Sequence, residues 1–141
     1  GWFLLPQDDL QEKVFIAGGI GVTPFHSLLL SLVDQQLDKP ITLFASFPTR
    51  ERVLFYQSLT EVSRKNKKIR VIYTLTKGNK EGWQGELGRL SHSLLAKHVP
   101  DFLQPVYYIV GSPAMVAGTK GLLLALSIAE ENIRTEDFTG Y

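Results

Sequence analysis

The chain has 141 residues, with 15 Lys and Arg against 14 Asp and Glu for a formal net charge of +1, and it contains no cysteine. This balance gives no reason to expect nucleic acid or an acidic membrane as a partner. Disulfides, thiolate metal sites and a cysteine nucleophile are excluded. No apolar run reaches the ~18–20 residues of a transmembrane segment. We therefore predict a single domain spanning 1–141, with a cytoplasmic location.

Strand and helix patterns alternate along the whole chain. This alternation predicts an α/β fold, a three-layer α/β/α sandwich around a parallel, Rossmann-like sheet. The predicted strands are 13–17, 41–45, 70–75, 106–110 and 132–138. The predicted helices are 23–36, 50–65 with Thr49 as its cap, 87–98 and 114–129.

The first strand runs into a turn that is rich in glycine. Its residues are Gly18, Gly19, Gly21, Val22, Thr23 and Pro24. Glycines let backbone amides approach a ligand closely, while Thr23 suits a helix N-cap and Pro24 the first helical position. The exposed N–H groups and the positive end of the helix dipole would favour an anion, most simply a phosphate. The alternative is that the turn only starts a helix.

A second turn of similar chemistry follows the fourth predicted strand. After Val110 it contains Gly111, Ser112, Pro113 and Met115. Ser112 is a candidate cap for the helix that Pro113 opens. Ligands of open parallel sheets bind beyond the carboxyl ends of the strands, so two such corners on neighbouring strands would form one crevice.

Several segments of the chain, in the same order as in the family, resemble the NAD(P)-binding domain of the ferredoxin–NADP reductase-like family. From the N-terminus they are residues 1–6, residues 15–25, the segment 83–89 with its Gly88-Arg89 pair, residues 108–116 and the tail 133–141. The resemblance implies five parallel strands in the order 3-2-1-4-5. It also implies a flavin-binding β-barrel upstream, which this chain lacks, with 1–12 as the crossover from it.

The same resemblance implies a function. The domain would bind NADPH or NADH and deliver hydride to FAD or FMN in the missing domain, with an iron–sulfur or haem protein as electron acceptor. Thr23 and Val110 would lie nearest the nicotinamide, and no catalytic residue is assigned. Val110 stands where the family often has Cys, so the alternative is a catalytically impaired domain that senses nucleotide or regulates a partner.

The choice between the two nucleotides depends on the tip of the second strand. A carboxylate there suits a free 2′-hydroxyl, whereas Ser and Arg suit a 2′-phosphate. The tip has Ser46 with Arg50 and Arg52 nearby and no acid, which favours NADPH over NADH. The alternative is that the two arginines form a solvated helix start. Arg89 has two interpretations as well, a helix-start hydrogen bond or a phosphate contact.

Other residues are interpreted as structural. His92 and His98 have no acidic partner at metal-like spacing, so no metal site is predicted. His26 is placed at the surface or the core edge, and Trp83 is expected to pack over the long loop. Tyr141 is either a frayed terminus or a contact to the flavin. A receiver-like domain is disfavoured, because the first two strands do not end in acidic residues.

Overall fold

A computed structural model describes residues 11–138, which form a parallel sheet between two layers of helices. The strands are β1 Lys13–Gly18, β2 Ile41–Phe47, β3 Ile69–Leu75, β4 Glu86–Leu87, β5 Val106–Gly111 and β6 Ile133–Asp137. The helices are α1 Val22–Asp34, α2 Tyr56–Lys65, α3 His92–His98 and α4 Pro113–Ala125. Residues 1–6 and Tyr141, which carried predictions, lie outside the described range.

The sheet has the order β4-β3-β2-β1-β5-β6, and every pair of neighbours is parallel. Without β4 this is the predicted order 3-2-1-4-5, so the fold class is confirmed. The prediction of five strands missed β4, whose two residues pair with Thr74 and Leu75 at the edge of the sheet. A two-residue strand has too little pattern to be recognised in a sequence.

Two hydrophobic cores hold the helices against the sheet. On one face the Phe15 and Phe25 rings stack with their centroids 4.5 Å apart beneath α1. On the other face Ile16 and Ile109 of the sheet share a buried cluster with Leu123 of α4. The strands at the centre are buried on both sides, as expected for a parallel sheet. The N-termini of α1 and α4 therefore both lie at the carboxyl edge of the sheet, beside β1 and β5.

The start of α1 differs from the prediction. A 3₁₀ turn, Gly19–Gly21, runs directly into the helix, whose N-cap is Gly21. Thr23 and Pro24 therefore lie inside the first helical turn, and the predicted Thr23 cap is wrong. Gly21, the last residue of the turn, already has helical backbone angles (φ −59° and ψ −14°), so the helix starts before Thr23.

Three other helices are shorter than predicted, among them α4, which ends at Ala125 rather than at 129. Arg50–Arg52 forms only a 3₁₀ turn, and α2 starts at Tyr56, because Phe55 has a left-handed φ of 61°. An L-residue with that backbone cannot continue a right-handed helix. The predicted helix 87–98 begins only after Ser91, and Gly88 (φ 88°) separates it from β4.

The two glycine corners touch each other. A Cβ atom built on Gly21 would lie 2.3 Å from the Val110 carbonyl oxygen, and one on Gly111 would lie 3.6 Å from the Gly18 nitrogen. Position 21 therefore has no room for a side chain, because the obstacle is backbone and cannot rotate away. The predicted single crevice depends on this close approach.

His26 joins the first two helices. Its Nε2 lies 2.7 Å from Ser58 Oγ on α2, and its ring stacks on Phe55 with centroids 4.0 Å apart. Burial lowers the pKa of His26, because desolvation disfavours the imidazolium. The Phe55 ring thus covers one face of the His26 imidazole, at the residue with left-handed backbone just before α2.

We expect Gly21→Ala to destabilise the fold by about 1–3 kcal/mol, since the added methyl must push the two corners apart. Gly121→Ala is the matched control. It adds the same methyl to α4, where a Cβ meets nothing within 4 Å, and should be neutral or stabilising by up to about 1 kcal/mol. Urea unfolding measures both variants. Equal stability of the two would contradict the close contact.

A second expectation concerns pH. Because the folded-state pKa of His26 lies below its unfolded value of 6.5, its contribution to stability is present above that value. It is lost as the pH falls through the lowered pKa. The unfolding free energy of the wild type should therefore fall more steeply than that of His26→Gln between about pH 7.5 and about pH 5.5. If urea unfolding at each pH shows the same pH dependence of the unfolding free energy for both proteins, burial of His26 has no such effect.

Candidate functional site

A cavity of about 480 Å³ lies at the carboxyl ends of β2 and β3, on the face covered by α4. We call it the strand-tip cavity. Its lining combines an apolar floor with hydroxyl groups and one cation. The lining residues are Ile16, Phe44, Ser46, Pro48, Thr74, Thr76, Arg89, Leu90, Ser112, Ala114, Met115, Gly118, Thr119 and Leu122.

Arg89 supplies the charge of the strand-tip cavity. It is exposed, no carboxylate lines the cavity, and within residues 11–138 its guanidinium has neither a hydrogen bond nor an ion pair. It does not serve as a helix-start residue, because Ser91 Oγ accepts the Leu94 N–H and caps α3. Of the two interpretations of Arg89, the geometry favours a role towards a ligand.

Hydroxyl groups line the wall beside Arg89. The Thr74 hydroxyl donates to Ser46 Oγ at 3.1 Å, across the tips of neighbouring strands. Thr76 follows on the same side. Hydroxyls can both donate and accept, so this wall suits a ligand with ribose or phosphate oxygens.

The second corner forms the end of the cavity nearest β5. Ser112 caps α4 by accepting the Met115 N–H at 3.2 Å, and Pro113 occupies the first turn, as the sequence predicted. The Met115 side chain packs against both corners, close to Gly18 and Gly111. The first turn of α4 contains no acidic residue, so its positive dipole end is not neutralised.

The first corner adds an open stretch of backbone. Gly19 has a φ of 55°, and a Cβ there would meet nothing within 4 Å, so solvent or a ligand can approach it. Its conformation is one that glycine adopts at low cost. Within the described part of the chain no side chain caps α1, and its first turn has no acidic residue. Val22 is fully buried and contributes only backbone to this surface.

A second cavity, of about 520 Å³, lies on the β6 side of the first corner. We call it the Thr23 cavity. Ile20, Thr23, Pro24 and Ser27 line one side, and Glu136, Asp137 and Phe138 line the other. Its acidic wall distinguishes it from the strand-tip cavity. The side chain of Val110 is fully buried and lines neither cavity.

Arg50 and Arg52 take no part in the strand-tip cavity that Ser46 lines. The Arg50 guanidinium donates to the Glu81 carbonyl and lines a separate groove along the 77–82 loop. Arg52 is exposed, and neither arginine lines the strand-tip cavity. Sequence reasoning did not single out Thr74 and Thr76. Their alternate spacing at the end of a buried strand is the signal that could have found them.

Within residues 11–138 no group of three or more His, Asp and Glu side chains is arranged to hold a metal ion. His98 instead lies 2.8 Å from Glu86. None of the described helices combines the length and the apolar character that membrane crossing requires.

Comparison with known proteins reveals relatives along most of the chain. Over 130 residues it is 32% identical to the nitrate reductase [NADPH] of Emericella nidulans, covering 88% of this chain and 15% of that protein. It is 28% identical to NADH-cytochrome b5 reductase 1 of Candida glabrata over 119 residues, covering 82% and 42%. The chain thus spans less than half of each of these relatives.

Solved structures share the fold. The cytochrome P450 reductase GcoB of Amycolatopsis superposes with a TM-score of 0.81 at 18% identity, over 96% of this chain and 40% of that one. A flavohemoglobin from Malassezia yamatoensis with bound FAD and heme gives a TM-score of 0.78 at 23% identity, over 93% and 33%. Residues 15–121 match the family model of the oxidoreductase NAD-binding domain. The chain therefore belongs to the oxidoreductase NAD-binding domain family.

Proposed function

We propose that this chain binds NADPH or NADH across its two corners and serves as the pyridine-nucleotide half of a flavin-dependent reductase. The observation that carries the proposal is the contact of the corners at the carboxyl edge of a parallel sheet, next to a cavity with one unpaired cation. Two helix N-termini without acidic residues then face the same ligand. This arrangement suits a pyrophosphate.

The corners fit the pyrophosphate and the parts next to it. Gly18, Gly19 and Gly21 would present backbone along it, with Val22, Thr23 and Pro24 in the helical turn behind them. From the other side Gly111, Ser112, Pro113 and Met115 would complete the cradle. The open space at Gly19, which a Cβ would partly fill, supports this assignment.

The charges of the two cavities give the ligand a direction. Arg89 makes the strand-tip cavity suitable for the phosphorylated adenosine end. Glu136 and Asp137 would repel a phosphate in the Thr23 cavity but not a neutral or cationic ring. The nicotinamide would therefore lie beside Thr23, with Val110 buried behind the corner. When bound, it supplies the hydride that a flavin accepts.

The strand-tip cavity favours NADPH over NADH. Arg89 with Ser46, Thr74 and Thr76 can bind a 2′-phosphate through charge-assisted hydrogen bonds. No carboxylate in that lining would pair with a free 2′-hydroxyl. Arg50 and Arg52 remain predicted contacts of the 2′-phosphate. Because the Arg50 guanidinium already donates a hydrogen bond to the Glu81 carbonyl, Arg89 is the better candidate for that contact.

We expect Arg89→Gln to weaken NADP⁺ binding by about tenfold or more, the usual size for a hydrogen bond to a charged group. Binding of NAD⁺ should change by less than about twofold, since it has no 2′-phosphate. Calorimetric titration of the purified chain measures both affinities.

Arg50→Gln is the matched control, because it removes an equal charge from the neighbouring groove. It should leave the ratio of the two affinities unchanged. A larger loss for Arg50→Gln than for Arg89→Gln would move the 2′-phosphate site to the 77–82 loop. No binding of either nucleotide would refute the proposed function itself.

The flavin partner is part of the proposal. We propose that a separate β-barrel domain of the longer protein, upstream of this chain, holds FAD or FMN, and that residues 1–12 connect the two. An iron–sulfur or haem protein would accept the electrons. Heme in the flavohemoglobin and the names of the cytochrome b5 reductases support the haem class. The predicted cytoplasmic location belongs to the same proposal.

A nucleotide-sensing domain is the second candidate, and valine at position 110, which has no thiol, favours it. Anaerobic mixing of NADPH with the protein that contains the flavin domain separates the two. A reductase bleaches the flavin absorbance within seconds, at turnover rates typical of enzymes. A sensor binds NADPH but leaves the flavin oxidised. That result would reject hydride transfer while retaining nucleotide binding.

A further inference from the structure

The segment that carries Arg89 is weakly held by its own backbone. Its strand β4 has only two residues and lies at the edge of the sheet, where it pairs with Thr74 and Leu75. The Gly88 N–H donates to the Leu75 carbonyl at 2.8 Å, and Gly88 has a φ of 88°. Such a short edge strand gives little stability of its own.

Side chains supply the remaining attachment. The Glu86 carboxylate accepts a hydrogen bond from Lys97 Nζ at 2.7 Å and lies 2.8 Å from His98 Nε2. Both partners are in the last turn of α3. The Glu86 carbonyl also accepts the Trp83 indole N–H at 2.9 Å. One residue thus connects β4, α3 and the loop before β4.

Two of the three side chains in this cluster are better shielded from solvent than those of an ordinary surface ion pair, whereas Lys97 is 62% exposed. The side chains of Glu86 and His98 are only 20% and 22% exposed. In the Glu61–Arg64 pair on α2 the values are 45% and 66%. Hydrogen bonds from Lys97 and His98 lower the pKa of the Glu86 carboxyl, so it stays ionised. Salt and water screen a half-buried charge less than an exposed one.

Arg89 has no comparable support. It follows Glu86 by three residues, and within the described range nothing binds its guanidinium. Its position is therefore set by the backbone between β4 and the Ser91 cap of α3. The contacts of Glu86 with Lys97 and His98 therefore also constrain the backbone from which the Arg89 side chain extends.

We propose that Glu86 is a positioning residue, whose carboxylate, held by Lys97 and His98, fixes the 83–91 segment so that Arg89 faces the strand-tip cavity. Glu86 does not line that cavity and acts only through Arg89. The inference rests on the proposed function, because it matters only if Arg89 binds a 2′-phosphate. It adds a second determinant of nucleotide preference, outside the binding surface.

A double-mutant cycle with two probes tests the coupling. Binding of 2′,5′-ADP and of 5′-AMP is measured for the wild type, Glu86→Gln, Arg89→Gln and the double variant. We expect Glu86→Gln to weaken 2′,5′-ADP binding about fivefold, which is the size of coupling found between residues of one interaction network. Binding of 5′-AMP should stay within about twofold. In the Arg89→Gln background Glu86→Gln should cause no further loss.

Four binding results would overturn the inference. One is an equal loss for both probes, which indicates a general structural defect. Another is the same loss in the Arg89→Gln background, and the third is no loss at all. If Arg89→Gln itself keeps full 2′,5′-ADP affinity, the 2′-phosphate role of Arg89 falls and the inference falls with it. Absence of nucleotide binding would refute the proposed function, whereas an unchanged 2′,5′-ADP affinity in Glu86→Gln would refute only the positioning role.

A ligand-free readout complements the cycle. Because the chain has no cysteine, Arg89→Cys creates a single site for a nitroxide spin label. Glu86→Gln should make that label more mobile in its electron paramagnetic resonance spectrum, whereas the control Glu61→Gln should not. If Glu86→Gln does not fold, Lys97→Gln removes one partner of the same carboxylate and is judged by the same criteria. If the label stays as immobile in Glu86→Gln, or in Lys97→Gln where that variant replaces it, as it is in the Glu61→Gln control, the inference is overturned.

Discussion

The close contact between Gly21 and the Val110 carbonyl is the constraint on which the site depends. Strands β1 and β5 are parallel neighbours, so the chain leaves both of them at the same edge of the sheet. Their helices then start side by side, provided that no side chain separates the turns. A nucleotide site built in this way needs few specific side chains, because backbone amides and helix dipoles provide most of the attraction for the anion.

Side chains give this backbone cradle its polarity. On the β3 side Arg89 contributes a cation, and on the β6 side Glu136 and Asp137 contribute carboxylates. In the proposed site, these charges favour one orientation of an elongated ligand with phosphate groups at one end and an uncharged or cationic ring at the other. Orientation is what a hydride donor requires of its protein, because the cofactor itself supplies the chemistry.

Sequence reasoning succeeded where local pattern and topology act together. The alternation of apolar strands and helices predicted the parallel sheet, the family resemblance implied its strand order, and Ser112 with Pro113 marked the start of α4 correctly. It failed where distant contacts decide. The Phe55 ring stacks on His26 and its backbone is left-handed where a helix was predicted, and Arg50 donates to the Glu81 carbonyl. Neither partner is near in sequence, so no local pattern indicates the contact.

We propose that the two corners and the strand-tip cavity bind one dinucleotide together. An NMR titration of the ¹⁵N-labelled chain with NADP⁺ tests it most directly. We expect the amide signals of Gly19, Gly21, Gly111 and Ser112 and that of Arg89 to shift together, with a single dissociation constant. Shifts confined to one corner, or different constants for the corners and for Arg89, would contradict it.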